Sequence, residues 1–325
     1  RLAACRLLPA ARLRPITVAA ARRKRENQSL DGPNGALLSS SDKAAMRPAD
    51  VAAVESTRSP ALNIATARIA RLTRAGDWAA ALEVYRATAE PDGTLFNAAL
   101  NACCKSLRYE EAFDLWDSTP PSMRSVISYS TMITLCGRLR KISEALQLFS
   151  EMQDAGIQPN VITYTSLIHA HSMAGCTQDA LAVFEELRTK LLPACSDVSR
   201  QMAYSSVLTA VARVGDYAKA RELFSMMVEA SIPPTQLHFN AMITACARHG
   251  DAETAQGVFD TMLAWKLEPR VEDFSILLSC SRRSLPRCLE IWAEMEAAGM
   301  RPHPVTYQAL LEAHALAGDG AGARE

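Results

Sequence analysis

From residue 62 onward, apolar and polar positions follow a helical period that stops and restarts at regular intervals. Aromatic residues mark the restarts: Phe96, Tyr129, Tyr164, Tyr204, Phe239, Phe274 and Tyr307. With these residues in register, the chain divides into units 62–92, 93–125, 126–160, 161–200, 201–235, 236–270 and 271–303, and a partial unit 304–325. Repetition at such a period is typical of repeat architectures.

Other places in the unit, counted from its first residue, also keep one type of side chain. The twentieth place is alanine in most units, which lets two helices approach closely. The fifteenth place is glycine in five units, and a glycine there predicts the end of a first helix. Those glycines are Gly76, Gly175, Gly215, Gly250 and Gly318. The twenty-fourth place holds Tyr85, Trp116, Phe149, Phe184, Phe224 and Phe259, with Trp292 joining them if unit seven lacks two residues.

Each unit therefore predicts two helices joined by a short turn, followed by a proline-containing exit such as Ile232-Pro233-Pro234-Thr235. A two-helix unit of this length cannot bury its apolar face alone, so the units must stack and share a core. The predicted fold class is all-α, an α-solenoid. Because the aromatic and alanine columns belong to that core, no cofactor is expected.

The residues before the repeats have a different composition. Residues 1–25 contain seven arginines and Lys24 but no acid, which favours an organelle transit peptide over an ordinary basic disordered tail. Residues 26–61 are punctuated by Ser, Pro and Gly and predict a disordered linker. The expected location is an organelle, either plastid or mitochondrion, and the repeat array occupies residues 62–325.

Several function classes are disfavoured by composition and motifs. Thirty-five basic residues balance 35 acidic ones, so the total charge does not indicate nucleic acid. There is no uncharged apolar run of 18 residues, and we expect no membrane association. The chain has no motif of a nucleotide hydrolase, esterase, zinc protease or zinc deaminase, so we expect no catalysis by this chain.

Histidine and cysteine spacing gives no sign of a metal centre. Nine cysteines occur without a C-x-x-C pair. Cys103, Cys136 and Cys246 share the eleventh place and predict small buried packing residues. His169 and His171 lie two residues apart on a predicted helix and therefore point to different sides. No metal site is predicted.

Segments such as VITYTSLIHAHSMAGCTQDALAVFEELR and HFNAMITACARHGDAETAQGVFDTM resemble pentatricopeptide repeats. The Tyr-polar-x-Leu-Ile entry and Gly-x-x-Pro exit match this family, whereas the W-x-x-L-G-x-x-Y entry of tetratricopeptide repeats is absent. The resemblance covers residues 62–325. It implies a right-handed superhelix of two-helix repeats that binds single-stranded RNA, one base per repeat.

Charge within the predicted first helices supports RNA as the ligand. The first thirteen places of the eight units contain nine basic residues and three acids. Six basic residues share the thirteenth place: Arg74, Lys105, Arg138, Arg213, Arg248 and Arg283. Eleven residues earlier, on the same side of the helix, the second place is apolar in Ile127, Ile162, Met202, Leu237 and Val305. This face offers contacts for bases and phosphates, although basic residues near a helix C-terminus also complement its dipole.

The fifth place is always an uncharged hydrogen-bonding residue, which is unusual within a helix. These residues are Thr66, Asn97, Ser130, Thr165, Ser205, Asn240, Ser275 and Gln308. The resemblance implies that each selects a base together with the last residue of its unit: Asp92, Ser125, Asn160, Thr235, Arg270 and His303. Unit four is left without a closing residue because it has about five extra residues that end at Arg200. By resemblance, units one, two, three and six favour guanine, a pyrimidine, adenine and a pyrimidine.

Two classes of function and a third possibility remain after these exclusions. The favoured hypothesis is a monomeric, sequence-selective RNA-binding protein that acts in organelle transcript processing, stability, splicing, editing or translation, with possible protein cofactors. The first alternative is a helical-repeat scaffold for a protein partner, which would not need six aligned basic residues. The second is the specificity half of an RNA-processing enzyme whose catalytic domain lies outside this sequence.

Overall fold

The computed structural model describes residues 59–319 and Gly322. Fifteen α-helices and no strand occur in that part of the chain. The first helices of the units are Pro60–Ala75 (α1), Gly93–Lys105 (α3), Val126–Arg138 (α5), Val161–Ala174 (α7), Asp197–Val214 (α9), Gln236–His249 (α11), Val271–Ser281 (α13) and Pro304–Ala317 (α15). The second helices are Trp78–Arg86 (α2), Tyr109–Ser118 (α4), Ile142–Asp154 (α6), Thr177–Lys190 (α8), Tyr217–Glu229 (α10), Ala252–Ala264 (α12) and Leu285–Ala297 (α14).

The helices form two layers. Each odd-numbered helix packs against the next odd-numbered helix, and each even-numbered helix packs against the odd-numbered helices on either side of it. The predicted all-α solenoid is therefore confirmed. The predicted transit peptide, residues 1–25, and nearly all of the predicted linker, residues 26–61, lie outside the described residues. No helix within 59–319 is long and apolar enough to cross a bilayer.

Pairs of aromatic rings join consecutive units. The ring at the twenty-fourth place of one unit contacts the ring at the fourth place of the next, with centroids 4.8–6.5 Å apart. The pairs are Tyr85–Phe96, Trp116–Tyr129, Phe149–Tyr164, Phe184–Tyr204, Phe224–Phe239, Phe259–Phe274 and Trp292–Tyr307. The last pair confirms that Trp292 belongs to this column, because α13 ends early, at Ser281.

Cysteines at the eleventh place are core residues, as predicted. Cys103, Cys136 and Cys246 are fully buried. Burial raises the pKa of Cys103 to about 11 and the pKa values of Cys136 and Cys246 to about 12. Since the thiolate is the reactive form, these three thiols are unreactive packing groups at neutral pH.

The turn between the two helices of a unit uses a left-handed residue at the fifteenth place. The five predicted glycines adopt φ values of 73–83°. Units two and three place Leu107 and Arg140 there, at φ 57° and 60°. A side chain with a β-carbon is strained in this conformation, so these two turns carry a backbone cost that the glycine turns avoid.

Unit four departs from the regular exit. Its extra residues form a 3-10 turn at Leu192–Ala194, and α9 begins at Asp197, one turn before the first place of unit five. Arg200 therefore lies inside a helix. Its guanidinium donates hydrogen bonds to the carbonyls of Leu192 and Pro193, at 3.0 and 3.1 Å. Arg200 holds the insertion in place, and it does not occupy the terminal position that the other closing residues have.

Exchanging residues between the two kinds of turn tests the backbone cost. We expect Arg140→Gly to raise the free energy of unfolding by about 0.5–1 kcal/mol, because glycine relieves the left-handed strain. The matched change Gly175→Ala should lower it by about 1 kcal/mol, and no atom lies within 4 Å of the added β-carbon to contribute a clash. Urea denaturation measures both values, and a loss of stability in Arg140→Gly would contradict the strain at this turn.

Candidate nucleic-acid interface

The odd-numbered helices present one continuous side, which we call the first-helix surface: the residues at the second, fifth, ninth and thirteenth places. Apolar side chains are exposed on it at the second place. Ile127, Met202, Leu237 and Val305 are 37, 38, 59 and 53 % exposed. Ile162 is half-buried. Such apolar groups, present at the second place of five of the eight units, can pack against flat apolar ligands such as bases.

All six predicted basic residues at the thirteenth place are exposed: Arg74, Lys105, Arg138, Arg213, Arg248 and Arg283. Within the described residues, none of them forms an ion pair. By contrast, several basic residues of the even-numbered helices pair with a glutamate on their own helix, such as Arg188 with Glu185 at 2.7 Å and Lys219 with Glu222 at 2.8 Å. The six basic residues therefore carry positive charge that no ion pair among the described residues neutralises, and the acids on the first-helix surface are Glu272 and Glu312 of the last two units.

Two members of this basic row differ from the rest. Because α13 ends at Ser281, Arg283 lies in the turn after the helix, and the predicted helical alignment of Arg283 is wrong. Unit seven is two residues short, and the loss removes the last turn of its first helix. Arg138 reaches the preceding unit, where its guanidinium contacts the Cys104 carbonyl at 3.5 Å near the C-terminus of α3. This contact fits the helix-dipole alternative for Arg138.

His169, at the ninth place of unit four, marks the centre of the basic row. The pKa of His169 is lowered by partial burial and by the positive charges of Arg213 and Arg138. Basic residues of units three and five therefore both lower the pKa of one side chain in unit four. The row itself is interrupted in unit four, where the thirteenth place is Met173, and His169 is neutral at pH 7.

The structure gives the predicted closing residues a common position. Asp92, Ser125, Asn160, Thr235, Arg270 and His303 are the N-cap residues of the next odd-numbered helices. Each thus lies at the junction between its own unit and the next. In one pair the two side chains touch, since Asn97 Nδ2 donates to Ser125 Oγ at 3.3 Å.

A column at the third place, which sequence analysis missed, joins three of the other pairs. Its polar members are fully buried: Ser128, Thr163, His238, Asp273 and Thr306. Each accepts a hydrogen bond from the backbone N–H of the N-cap residue, at 2.6–3.3 Å. Three of them also contact the fifth-place hydroxyl of the preceding unit: Ser130–Thr163 at 2.8 Å, Ser205–His238 at 3.0 Å and Ser275–Thr306 at 2.8 Å.

The available signal was the capping box, a polar residue three positions after a Ser, Thr, Asn or Asp at a helix start. The contacts also give four fifth-place residues, Asn97, Ser130, Ser205 and Ser275, a packing role that the sequence alone did not suggest. Ser130, Thr165 and Ser275 are less than 10 % exposed. These side chains are part of the junction between units as well as of its surface.

The contact between the fifth place and the junction is absent in some units. In unit four, Thr165 donates to its own helix at the Ile162 carbonyl, 3.0 Å away. The third place of unit five is Ala203, which has no polar side chain to offer. In unit eight, Gln308 donates to Glu312 at 3.1 Å. The Thr66 hydroxyl of unit one donates to the Leu62 carbonyl at 2.8 Å in addition to its other contacts. Asn240 is partly exposed.

A pocket of about 380 Å³ opens on the first-helix surface where units four, five and six meet. Met202 and Leu237, from the second places of units five and six, line it. Ser205 and Thr235, the predicted reading pair of unit five, line it as well, together with His169. This pocket therefore combines two of the predicted kinds of contact residue, base-stacking and base-reading, and no thirteenth-place basic residue lines it.

His238 connects the two reading residues beneath this pocket. The Thr235 backbone N–H donates to His238 Nδ1 at 2.9 Å, so the ring proton lies on Nε2. Nε2 faces the Gln201 carbonyl and Ser205 Oγ, both at 3.0 Å. Burial lowers the pKa of His238, and the bond to Gln201 offsets this in part. If Nδ1 became protonated, it could no longer accept the hydrogen bond from the Thr235 backbone N–H, and this bond at the start of α11 would be lost.

The stability of the array should consequently depend on pH. Because the pKa of His238 is below 6.5 in the folded chain, the unfolded chain binds a proton at His238 at a higher pH than the folded chain does. The stabilising contribution of neutral His238 is therefore fully present above pH 6.5 and is lost as the pH falls below that value. His169 and His171 act in the same direction, because burial also lowers their pKa values. His238→Thr copies Thr163 and Thr306, keeps an acceptor at the N-cap and does not titrate. We expect the variant to lose less stability than the original chain between pH 7.5 and 5.5 in urea denaturation; equal losses would exclude a contribution from His238.

Comparison with known proteins gives consistent matches to one family. The family model of the PPR repeat matches residues 94–118 and 162–190, and that of the PPR repeat family matches 124–173. The Pentacotripeptide-repeat region of PRORP matches 200–322. Together these matches extend over most of the described helices.

Curated relatives that match this chain are also pentatricopeptide repeat-containing proteins. The pentatricopeptide repeat-containing protein PPR5, chloroplastic, of Zea mays is 32 % identical over 33 % of this chain and 21 % of its own length. The mitochondrial protein At3g04750 of Arabidopsis thaliana is 29 % identical over 46 % of this chain and 21 % of its own length. The crystal structure of the maize pentatricopeptide repeat protein PPR10 aligns at TM-score 0.47 and 23 % identity, over 75 % of this chain and 40 % of that one.

The chain spans about a quarter or less of the length of the curated relatives that it matches. Within that span the repeat period, the hairpin of each unit and the matched family models agree. This chain belongs to the pentatricopeptide repeat family.

Proposed function

We propose that the protein binds single-stranded RNA along its first-helix surface, one base per repeat, in organelle RNA metabolism. The observation that carries this proposal is the exposed basic row at the thirteenth place, which has no carboxylate partners in the described residues and runs beside exposed apolar residues at the second place. Phosphates provide the missing negative charge, and bases provide flat apolar faces. Family membership supports the same ligand.

In this proposal each base lies between the second-place residues of two neighbouring units. The pocket between Met202 and Leu237 is the best-formed example, and Ser205 and Thr235 at its lining supply the hydrogen bonds that read the base edge. The same arrangement assigns Ile127, Ile162 and Val305 to base stacking in their units. The thirteenth-place residues contact the backbone, Arg283 from its turn and the other five from their helices.

An organelle location completes the proposal. Residues 1–25 are basic and contain no acid, and matched relatives carry chloroplastic and mitochondrial names. Import of a reporter carrying residues 1–61 into isolated plastids and mitochondria tests this location, and a reporter that enters neither would contradict it.

A specific observation favours one further role. Residues 200–322 match the repeat region of PRORP, and the chain spans a small part of its relatives' length. The array could therefore serve as the RNA-recognition half of a longer RNA-processing enzyme. Cleavage or editing of a bound RNA by the whole native protein, but not by residues 62–325, would support this role.

Salt dependence tests the phosphate contacts. With six neutralised phosphates, the logarithm of the RNA affinity should fall with the logarithm of salt concentration with a slope of about −4. Arg213→Gln should weaken binding to all sequences alike and reduce the slope by about 0.7. Arg221→Gln, which removes an exposed arginine from the second helix of the same unit, is the control and should change neither. Fluorescence anisotropy with single-stranded RNA measures the slope; a value near zero would favour the protein-scaffold alternative.

Base selection tests the reading pairs. A randomised single-stranded RNA pool selected on the full chain should enrich an ordered motif that begins with guanine, a pyrimidine and adenine. Ser130→Asn, which copies the fifth-place residue of unit two, should change the preferred third base from adenine to a pyrimidine. The other positions of the motif are the internal control and should keep their preferences. A change spread over the whole motif, or no change at the third base, would contradict the assignment of Ser130 and Asn160.

A further inference from the structure

The turn between α7 and α8 brings three metal-binding side chains together. His171, Cys176 and Asp179 each offer a ligand atom, and these atoms lie within 4.8 Å of one another. His171 belongs to the last turn of α7, Cys176 is the N-cap of α8, and Asp179 lies in the first turn of α8. The Cys176 N–H donates to the His171 carbonyl at 2.9 Å, so the turn holds the first two residues close together.

Cys176 differs from the N-cap residues of units one, five and six, although Arg108, Lys141 and Ser284 at the same place also make no capping bond. At the equivalent N-cap, Asp77, Asp216 and Asp251 each accept a hydrogen bond from the backbone N–H three residues later, at 2.9–3.0 Å. Cys176 makes no such bond. Unit four therefore has a thiol where these three units have a helix cap, although cysteine is a poor residue for capping.

His171 departs from the pattern in the same place. Its side chain is 7 % exposed, and Nδ1 has no hydrogen-bond partner. The nearest acceptor, Asp179 Oδ2, is 3.8 Å away, which is beyond hydrogen-bonding distance. In unit eight the equivalent His314 Nδ1 is satisfied by Asp319 Oδ2 at 3.0 Å. A buried ring nitrogen without a partner, beside a thiol that caps nothing, indicates a missing ligand between them.

We propose that His171, Cys176 and Asp179 bind a divalent transition-metal ion of the zinc class. Thiolate sulfur, imidazole nitrogen and a carboxylate oxygen are the three ligand types of protein zinc sites, whereas magnesium and calcium take oxygen ligands. Ordinary zinc bond lengths in a tetrahedron place ligand atoms roughly 3.5 Å apart, so the cluster must close slightly. The Asp179 side chain is 66 % exposed and can turn inward, and a water molecule would complete the fourth position.

The site would join the end of α7 to the start of α8 in the unit that carries the five-residue insertion. It does not depend on the proposed RNA binding, because neither Cys176 nor Asp179 belongs to the first-helix surface. The sequence-based argument against a metal site considered the spacing of the cysteines and the pair His169 and His171, and did not combine His171 with Cys176. These side chains do diverge: His169 lines the surface pocket, and His171 faces the turn.

Cobalt and zinc binding test the site on the full chain, in a reducing buffer without chelating thiols. Addition of Co²⁺ should produce thiolate-to-cobalt charge-transfer absorption that saturates at one ion per chain and disappears on addition of Zn²⁺. Zn²⁺ should also raise the Tm, and a chelator should reverse the rise. A charge-transfer band that does not saturate, or no rise in Tm with Zn²⁺, would overturn the proposal.

Variants taken from the other units keep the test independent of folding. Cys176→Asp restores the N-cap of units one, five and six, and should abolish the charge-transfer band in a folded protein. His171→Val copies Val211 of unit five and should abolish the Zn²⁺-dependent rise in Tm. Cys195→Ser is the control, because Cys195 bonds to the Leu191 carbonyl elsewhere in unit four; it should retain both signals. A band that survives Cys176→Asp, or a rise that survives His171→Val, would assign the metal to other residues.

Discussion

The contact between the aromatic ring at the twenty-fourth place and the ring at the fourth place of the next unit determines how the units stack. Such pairs contribute roughly 0.5–1.5 kcal/mol each beyond the area that they bury, and one occurs at every one of the seven junctions. More importantly, each pair fixes one unit against the next. Because the geometry repeats, the second-, fifth- and thirteenth-place residues form rows, and side chains that are far apart in sequence share one surface.

The junction polar groups connect this stacking to the proposed reading of bases. Thr163, His238 and Thr306 are each tied to the N-cap of one unit and to the fifth-place hydroxyl of the unit before it. The two residues of a reading pair are therefore positioned by a third that is fully buried. A base that bonds to Ser130, Ser205 or Ser275 must share or displace this internal partner. The net binding free energy from each such contact is therefore smaller than it would be for a hydroxyl that has no hydrogen-bond partner within the protein.

Much of the fold could be predicted from the sequence because its causes are periodic. Aromatic residues, the small alanines and the turn glycines recur at fixed places, and the structure places each in the expected role. The site was predictable only in part. Exposure of Met202 or Arg213 follows from helical geometry alone. The contacts of His238 and Thr163 cross between units, and the early end of α13 before Arg283 depends on a two-residue deletion, so neither follows from counting places along one helix.

Unit four shows how a local insertion changes the surface without breaking the array. The extra turn before Arg200 carries the closing residue into α9, and Ala203 offers no polar group at the third place. Thr165 consequently bonds to its own helix, and unit four has no complete reading pair. Yet the rings of Phe184 and Tyr204 still meet at 5.1 Å, as in the neighbouring junctions. The ring contact therefore survives the insertion, because it depends only on the positions of the helices. The hydrogen bonds at the junction do not survive it, because they need one particular residue at the start of a helix.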